Sequence, residues 1–173
     1  MKDLRIIIDI DDTINSWMEY YKEWFDTDHH PYRLIDHVIT RNVFKLRHNK
    51  DFWLNVPKLR DVESPIVAYC TKRVNPKSYT KEWLSKNGFP NKPIYQMLYQ
   101  HGDKARLIKG KCDVFIDDSV SNFKSCNESG VFTLLIDAPH NRHFNTDLRI
   151  YSLNYNEIKE KYEQFRKDFR ADI

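Results

Sequence analysis

Glycine is scarce in this chain: four in 173 residues, at Gly88, Gly102, Gly110 and Gly130. That scarcity excludes whole classes of loop. GxGxxG, GxxxxGK(S/T) and GxSxG are all absent, and with them the dinucleotide, P-loop and serine-hydrolase fingerprints. Cysteine is nearly as rare, with three and no CxxC pairing, which argues against a disulfide framework and against a structural zinc site. No apolar run approaches the ~18–20 residues of a membrane span, and mean hydropathy is −0.72. Neither sign of charge dominates: Lys+Arg 28 against Asp+Glu 25, net +3, too even to mark a nucleic-acid binder. The first residues hold one Lys, then Asp3, then a short apolar run that stops at Asp9. This is no signal-peptide layout, so the expected location is cytoplasmic. What is abundant is aromatic side chains, at 14%, in a length that fits one domain with a small insertion.

The apolar periodicity predicts the elements. LRIIIDI (4–10) reads as a buried strand that ends in acids. Trp17, Tyr20, Tyr21, Trp24 and Phe25 fall at helical spacing, with Asn15 as N-cap. Residues 31–48 read as a second helix opened by Pro31, and Pro57 closes the DFWLNV stretch. Strands follow at 65–70, 93–99, 113–117, 131–136 and, shorter, 148–152. Helices are expected around Trp83, from Asp103 to Lys109, after Ser119 and over 155–169. Beyond residue 64 strands and helices alternate, which predicts an α/β fold: a parallel sheet with helices on both faces. Between the first two strands ~50 residues intervene where a crossover helix needs about a dozen. Residues 14–62 are therefore read as a helical cap inserted into a core of residues 1–13 and 63–173.

Two strands end almost alike, IIIDIDDT (6–13) and VFIDDS (114–119). Ligands of open α/β sheets bind beyond the carboxyl ends of the strands. If these strands are neighbours, Asp9, Asp11, Asp117 and Asp118 crowd one site, and crowded carboxylates need a compensating charge. A divalent cation supplies it, and oxygen-only ligands favour Mg²⁺. Singly, each acid could simply cap the helix after its strand. Thr71, after the strand PIVAYC, could hold phosphate oxygens through its hydroxyl and the following N–H groups. Lys104 could meet a phosphate as a point charge. Cys70 beside Thr71 is expected to be a buried, inert thiol.

In this order Asp9-x-Asp11-x-Thr13, Thr71, Lys104 and Asp117-Asp118 resemble the haloacid dehalogenase superfamily across the whole chain. The resemblance implies a Rossmann-like core with a small helical cap after the first strand. It implies Asp9 as a nucleophile that takes a phosphoryl group and Asp11 as general acid/base, its carboxyl raised by acidic neighbours. It also implies Mg²⁺ held by Asp9, the Asp11 backbone carbonyl and Asp117, with Asp118 steadying the metal shell. Thr71 and Lys104 would grip the phosphate, and the two cations that follow Thr71, Lys72 and Arg73, could add to that grip. FWLNVPKLRDVESP, the DKA…DVFIDDS run and IDAPHNR (136–142) look more narrowly like the 5'(3')-deoxyribonucleotidase family. Two departures stand out: Asp12 where that family has Gly, and Lys72-Arg73 where Ser-Pro is usual.

The implied activity is Mg²⁺-dependent hydrolysis of 5'-(deoxy)nucleoside monophosphates through an aspartyl-phosphate. The alternatives are a phosphatase of nucleic-acid ends or of other small phosphoesters, and a non-catalytic protein that binds phospho-ligands. Trp17 and Tyr21, one helical turn apart, are candidates to line the cap pocket. The expected partner is a small phosphomonoester, with no membrane and no stable nucleic-acid complex. A homodimer is left open.

Overall fold

The computed structural model describes residues 3–27, 37–98 and 103–171. The expected helix start at Pro31 lies outside these residues, as does Tyr99 at the end of the expected third strand. Three consecutive isoleucines form the first strand, β1 (Ile6–Ile8), and none of them is exposed. Ile6 and Ile8 join an apolar cluster with Trp83, Leu84 and Ile158, while Ile7 joins another with Ala68, Cys70, Ala105, Ile108 and Cys126. Successive side chains of a strand point to opposite faces, so β1 is covered on both.

The sheet has six parallel strands in the order β3-β2-β1-β4-β5-β6. The others are β2 (Ile66–Lys72), β3 (Ile94–Met97), β4 (Val114–Asp117), β5 (Thr133–Ile136) and β6 (Arg149–Ile150). Helices α4 (Lys77–Lys86) and α7 (Tyr155–Ala171) cover one face; α5 (Ala105–Ile108) and α6 (Val120–Glu128) cover the other. Chain order reverses at β1, which lies between β2 and β4. Ile8 is in register with Ile116, and the Asp9 N–H donates to the Ile116 carbonyl at 2.9 Å. Asp9 and Asp117 therefore emerge side by side at the topological switch point.

Among the described residues three α-helices lie between β1 and β2: α1 (Trp17–Phe25), α2 (His37–Lys45) and α3 (Lys50–Asn55). They gather a separate apolar cluster of Trp17, Met18, Tyr21, Val43, Leu46, Phe52, Trp53 and Val56, joined by Val74 from the core. The single helix expected over 31–48 gives way to α2 and a 3-10 turn at Leu46–His48. Asn49 then restarts the helix, its side chain accepting from the Phe52 N–H at 3.0 Å.

Two other expectations need correction. Thr71 lies within β2 rather than after it, because β2 runs on to pair Thr71 with Gln96 and Lys72 with Met97. Asn15 does not cap α1. It is fully buried, its amide braces the loop before the helix, and the Asp12 carboxylate accepts the Met18 N–H at 2.9 Å instead.

Candidate active site

The loop from Asp9 to Ser16 turns sharply after three residues of strand. Asp12 adopts φ +55°, a left-handed conformation that Gly takes freely and Asp tolerates through local hydrogen bonds. Its N–H donates to Asn15 Oδ1 at 3.2 Å, and Asn15 Nδ2 donates to Asp11 Oδ1 at 3.2 Å. Asp11 is also gripped by Arg73, whose Nε donates to Oδ2 at 2.8 Å and Nη2 to Oδ1 at 2.6 Å. The Thr71 hydroxyl makes a long 3.4 Å contact to Oδ2. The acids expected to crowd Asp11 surround Asp9 instead, and the direct side-chain partners of Asp11 are Arg73, Asn15 and Thr71.

Lys104 is buried between two acids, its Nζ 2.8 Å from Asp9 Oδ2 and 2.7 Å from Asp117 Oδ2. Asp103 sets its position by accepting from the Ala105 N–H at 2.9 Å and from the Ser125 and Ser129 hydroxyls. Burial would lower the Lys104 ammonium, but Asp117 and Asp9 outweigh it and hold the charge. Burial pushes the Asp9 carboxyl well up; Lys104 opposes this, and Asp117, Asp118 and Asp11 add to it. Asp117 accepts from the Ser119 N–H at 2.8 Å and from Asn122 Nδ2. Asp118 accepts from the Thr13 hydroxyl at 3.0 Å and meets His140 Nε2 at 2.9 Å. Burial alone would lower the His140 imidazole, but Asp118 more than offsets it and the shift is upward.

Asn141 ties the strand ends together. It is fully buried, and Nδ2 donates at 2.8 Å to the carbonyls of both Asp118 and Ile136. Arg149 in turn donates to Asn141 Oδ1 at 2.6 Å. Pro139-His140-Asn141 is thus the clip that holds the end of β5 against that of β4.

One oxygen each from Asp9, Asp117 and Asp118 lies within 4.8 Å of the other two. Asp9 Oδ1 is buried and, among the described residues, has no hydrogen-bond partner, a costly state for a carboxylate oxygen. The three hard carboxylate donors fit a divalent cation such as Mg²⁺.

Asp9, Asp11, Thr71, Lys72 and Lys104 face a narrow cavity of about 50 Å³. Trp17, Val43, Trp53 and Val74 form its apolar wall. Tyr21 does not reach the cavity; it stacks behind Trp17 at 5.2 Å between ring centroids. Lys72 donates to Asn122 Oδ1 at 2.8 Å. Trp53 and Asn122 were not singled out from the sequence. Trp53 reads there as one more apolar residue, and Asn122 carries no spacing signal before β4 is known to place it. Cys70 is a buried thiol pushed up to about 12 by burial, consistent with inertness.

Asp12 carries its own consequence. Burial first, then the charge of Asp118, pushes its carboxyl from 3.8 up to about 8. An acid raised on folding binds its proton more tightly in the folded state, so between these two values stability falls as pH rises. Asp12→Asn keeps the acceptor for Met18 and tolerates the same backbone. The melting temperature of the parent should decline across this window, and the decline should flatten in the Asn variant. Parallel melting curves against pH would contradict this account of Asp12.

The sheet order, the helices on both faces and the acids at the switch point define a haloacid dehalogenase-like α/β fold. The structure resembles a HAD-superfamily hydrolase of subfamily IA, variant 1, from Geobacter sulfurreducens, with a TM-score of 0.55, 10% identity, and coverage of 91% of this chain and 95% of that one. At the level of sequence the chain is similar to two curated proteins, each named 5'(3')-deoxyribonucleotidase, from Bacillus subtilis (strain 168) and from Bacillus phage SPbeta. Each is 28% identical over 140 residues, 81% of this chain and 74% of the relative. No family model matches the chain. Among the described residues no helix is long and apolar enough to cross a membrane.

Proposed function

We propose that the protein is a Mg²⁺-dependent phosphomonoesterase that hydrolyses (deoxy)nucleoside monophosphates by transferring the phosphoryl group to Asp9. The observation that carries this reading is Asp9 Oδ1: a buried, unpartnered carboxylate oxygen on a cavity that also holds Thr71, Lys72 and Lys104. Asp9 Oδ1 forms a bond to phosphorus while the ester P–O bond breaks, and the departing oxygen takes a proton from Asp11. Water then attacks the phosphorus of the aspartyl-phosphate, Asp11 accepts its proton, and the carboxylate leaves as inorganic phosphate forms. Thr71, Lys72 and Lys104 bind and orient the phosphoryl oxygens. Asp9, Asp117 and the Asp11 carbonyl would hold Mg²⁺, with Asp118 positioning them; when bound, the ion neutralises charge that builds up on those oxygens.

The nucleotide part rests on the names of the two Bacillus relatives and on the apolar wall. Helices α1–α3 act in this reading as a cap that presents Trp17 and Trp53 to a base. Aromatic stacking contributes ~1–3 kcal/mol per base. Trp17→Ala should raise KM for deoxynucleoside monophosphates by roughly tenfold or more while changing KM for p-nitrophenyl phosphate little. Tyr21→Ala should affect stability more than either KM.

The deciding experiment is a panel of phosphomonoesters assayed with Mg²⁺ and with chelator. Turnover of mononucleotides that ceases in chelator supports the proposal. Faster turnover of end-phosphorylated oligonucleotides would move the substrate to nucleic-acid ends, and no turnover of any ester would remove the enzyme reading.

A further inference from the structure

Asp11 has more hydrogen-bond donors than its proposed chemistry can use. Oδ1 accepts from Arg73 Nη2 and Asn15 Nδ2, and Oδ2 from Arg73 Nε and, at longer range, the Thr71 hydroxyl. A carboxylate has about four lone-pair sites, and two donors sit on each oxygen here. While that holds, the group has no lone pair with which to take a proton from water or pass one to a leaving oxygen. A donor has to leave before Asp11 can act.

Arg73 is the donor with somewhere to go. Its side chain is 1% exposed, and it lines the same cavity as Lys72 and Lys104. Lys104 is already committed to Asp9 and Asp117, and Lys72 is held by a neutral amide. The Arg73 guanidinium lies 5.2 Å from the Trp53 ring centroid, and Nη1 donates to the Thr80 hydroxyl at 3.3 Å. A planar fork that binds a carboxylate through two parallel N–H groups binds a phosphate in the same way. A phosphate dianion in this cavity is a competing acceptor with more charge than Asp11.

We propose that Arg73 exchanges partners: in the empty site it clamps Asp11, and the substrate's phosphate draws its guanidinium away and leaves Asp11 free for proton transfer. The Trp53 face supports the cation in both positions. The phosphate thereby releases the acid/base group that its own hydrolysis needs, and the freed carboxylate takes up from solvent the proton it then gives to the leaving oxygen. This rests on the acid/base role proposed for Asp11.

The exchange is read on the full chain without turnover, with inorganic phosphate and Mg²⁺ as the probe. In ¹⁵N-labelled protein the Arg73 Nε–H resonance, identified by its loss in Arg73→Lys, should shift as phosphate saturates the site. Phosphate should bind about tenfold or more weaker to Arg73→Lys, which keeps the charge and loses the fork. It should bind several-fold tighter to Asp11→Asn, where the clamp that competes with it is weakened. A fixed structural clamp predicts instead an unmoved resonance and phosphate affinity unchanged in Arg73→Lys. Either of those results, or absence of phosphate binding in the parent, overturns the proposal. If Arg73→Lys does not fold, Arg73→Gln supplies the assignment, and the resonance shift with the Asp11→Asn affinity decides. Phosphate binding with the Arg73 shift, in a protein that hydrolyses no ester, would remove the proposed function and leave the exchange standing. Hydrolysis without the shift would do the opposite.

Discussion

Asp9→Asn protein should fold, bind no less tightly into its sheet, and lose turnover by a factor on the order of 10³ or more. The substitution is nearly isosteric and keeps an oxygen in place, yet removes the charge that attacks phosphorus. Its stability should move the other way. Burial and three neighbouring acids work against an ionised Asp9, with Lys104 alone opposing them. A charge held against that environment lowers the stability of the fold above the ordinary carboxylate range. In chelator, the melting temperature of Asp9→Asn should therefore be no lower than that of the parent. Near-normal hydrolysis by a folded variant would end the nucleophile assignment. A lower melting temperature would mean that the Lys104–Asp9 contact stabilises more than the crowding costs.

Lys104→Met should give the largest loss of stability of any single change in the site. The ammonium lies 2.8 Å from Asp9 and 2.7 Å from Asp117, and all three groups are buried. Removing one member of such a cluster leaves buried charge unopposed, at a cost of ~3–5 kcal/mol. For a chain of this size that lowers the melting temperature by roughly 10 °C or more. Met retains most of the volume, so a cavity contributes little. If Asp9 and Asp117 take up Mg²⁺, the ion supplies the missing positive charge. Added Mg²⁺ should then raise the melting temperature of Lys104→Met more than that of the parent. Scanning fluorimetry in chelator and in Mg²⁺ reads both effects. A variant that melts like the parent in chelator would show that the acids there are not charged.

The sheet was legible because its strands are short, apolar and β-branched, and because acids or Pro stop them. III, VFI and TLLI have the composition of strands buried on both faces of a sheet. The pairing of β1 with β4 was harder to reach, since it depends on which strands are neighbours, and only the repeated acidic ending hinted at it. Arg73 shows the limit. From the sequence it is one of two cations after Thr71, both readable as added grip for a phosphate. That Lys72 turns to Asn122 while Arg73 turns to Asp11 depends on the extension of β2 by two residues. The pleat sends alternate side chains to opposite faces, so the end of a strand decides which neighbour each one meets. Trp53 is similar: its place on the cavity wall follows from the break between α2 and α3, which only the Asn49 cap creates. Asn15 looked like a cap because it stands just before a helix, and the tight turn at Asp12 moved that role three residues back.

β1 has a further consequence for the life of the chain before it is folded. It is made before both strands it pairs with, yet its place is the middle of the sheet, with β2 on one edge and β4 on the other. Until both arrive, three isoleucines stand with two unpaired edges, the kind of segment that associates with its like on another chain. Arg5 precedes them, and Asp9, Asp11 and Asp12 follow at once. In the unfinished chain those charges are solvated, and they repel the copies that would otherwise stack. The cluster of acids that strains the finished site thus guards the nascent strand against aggregation.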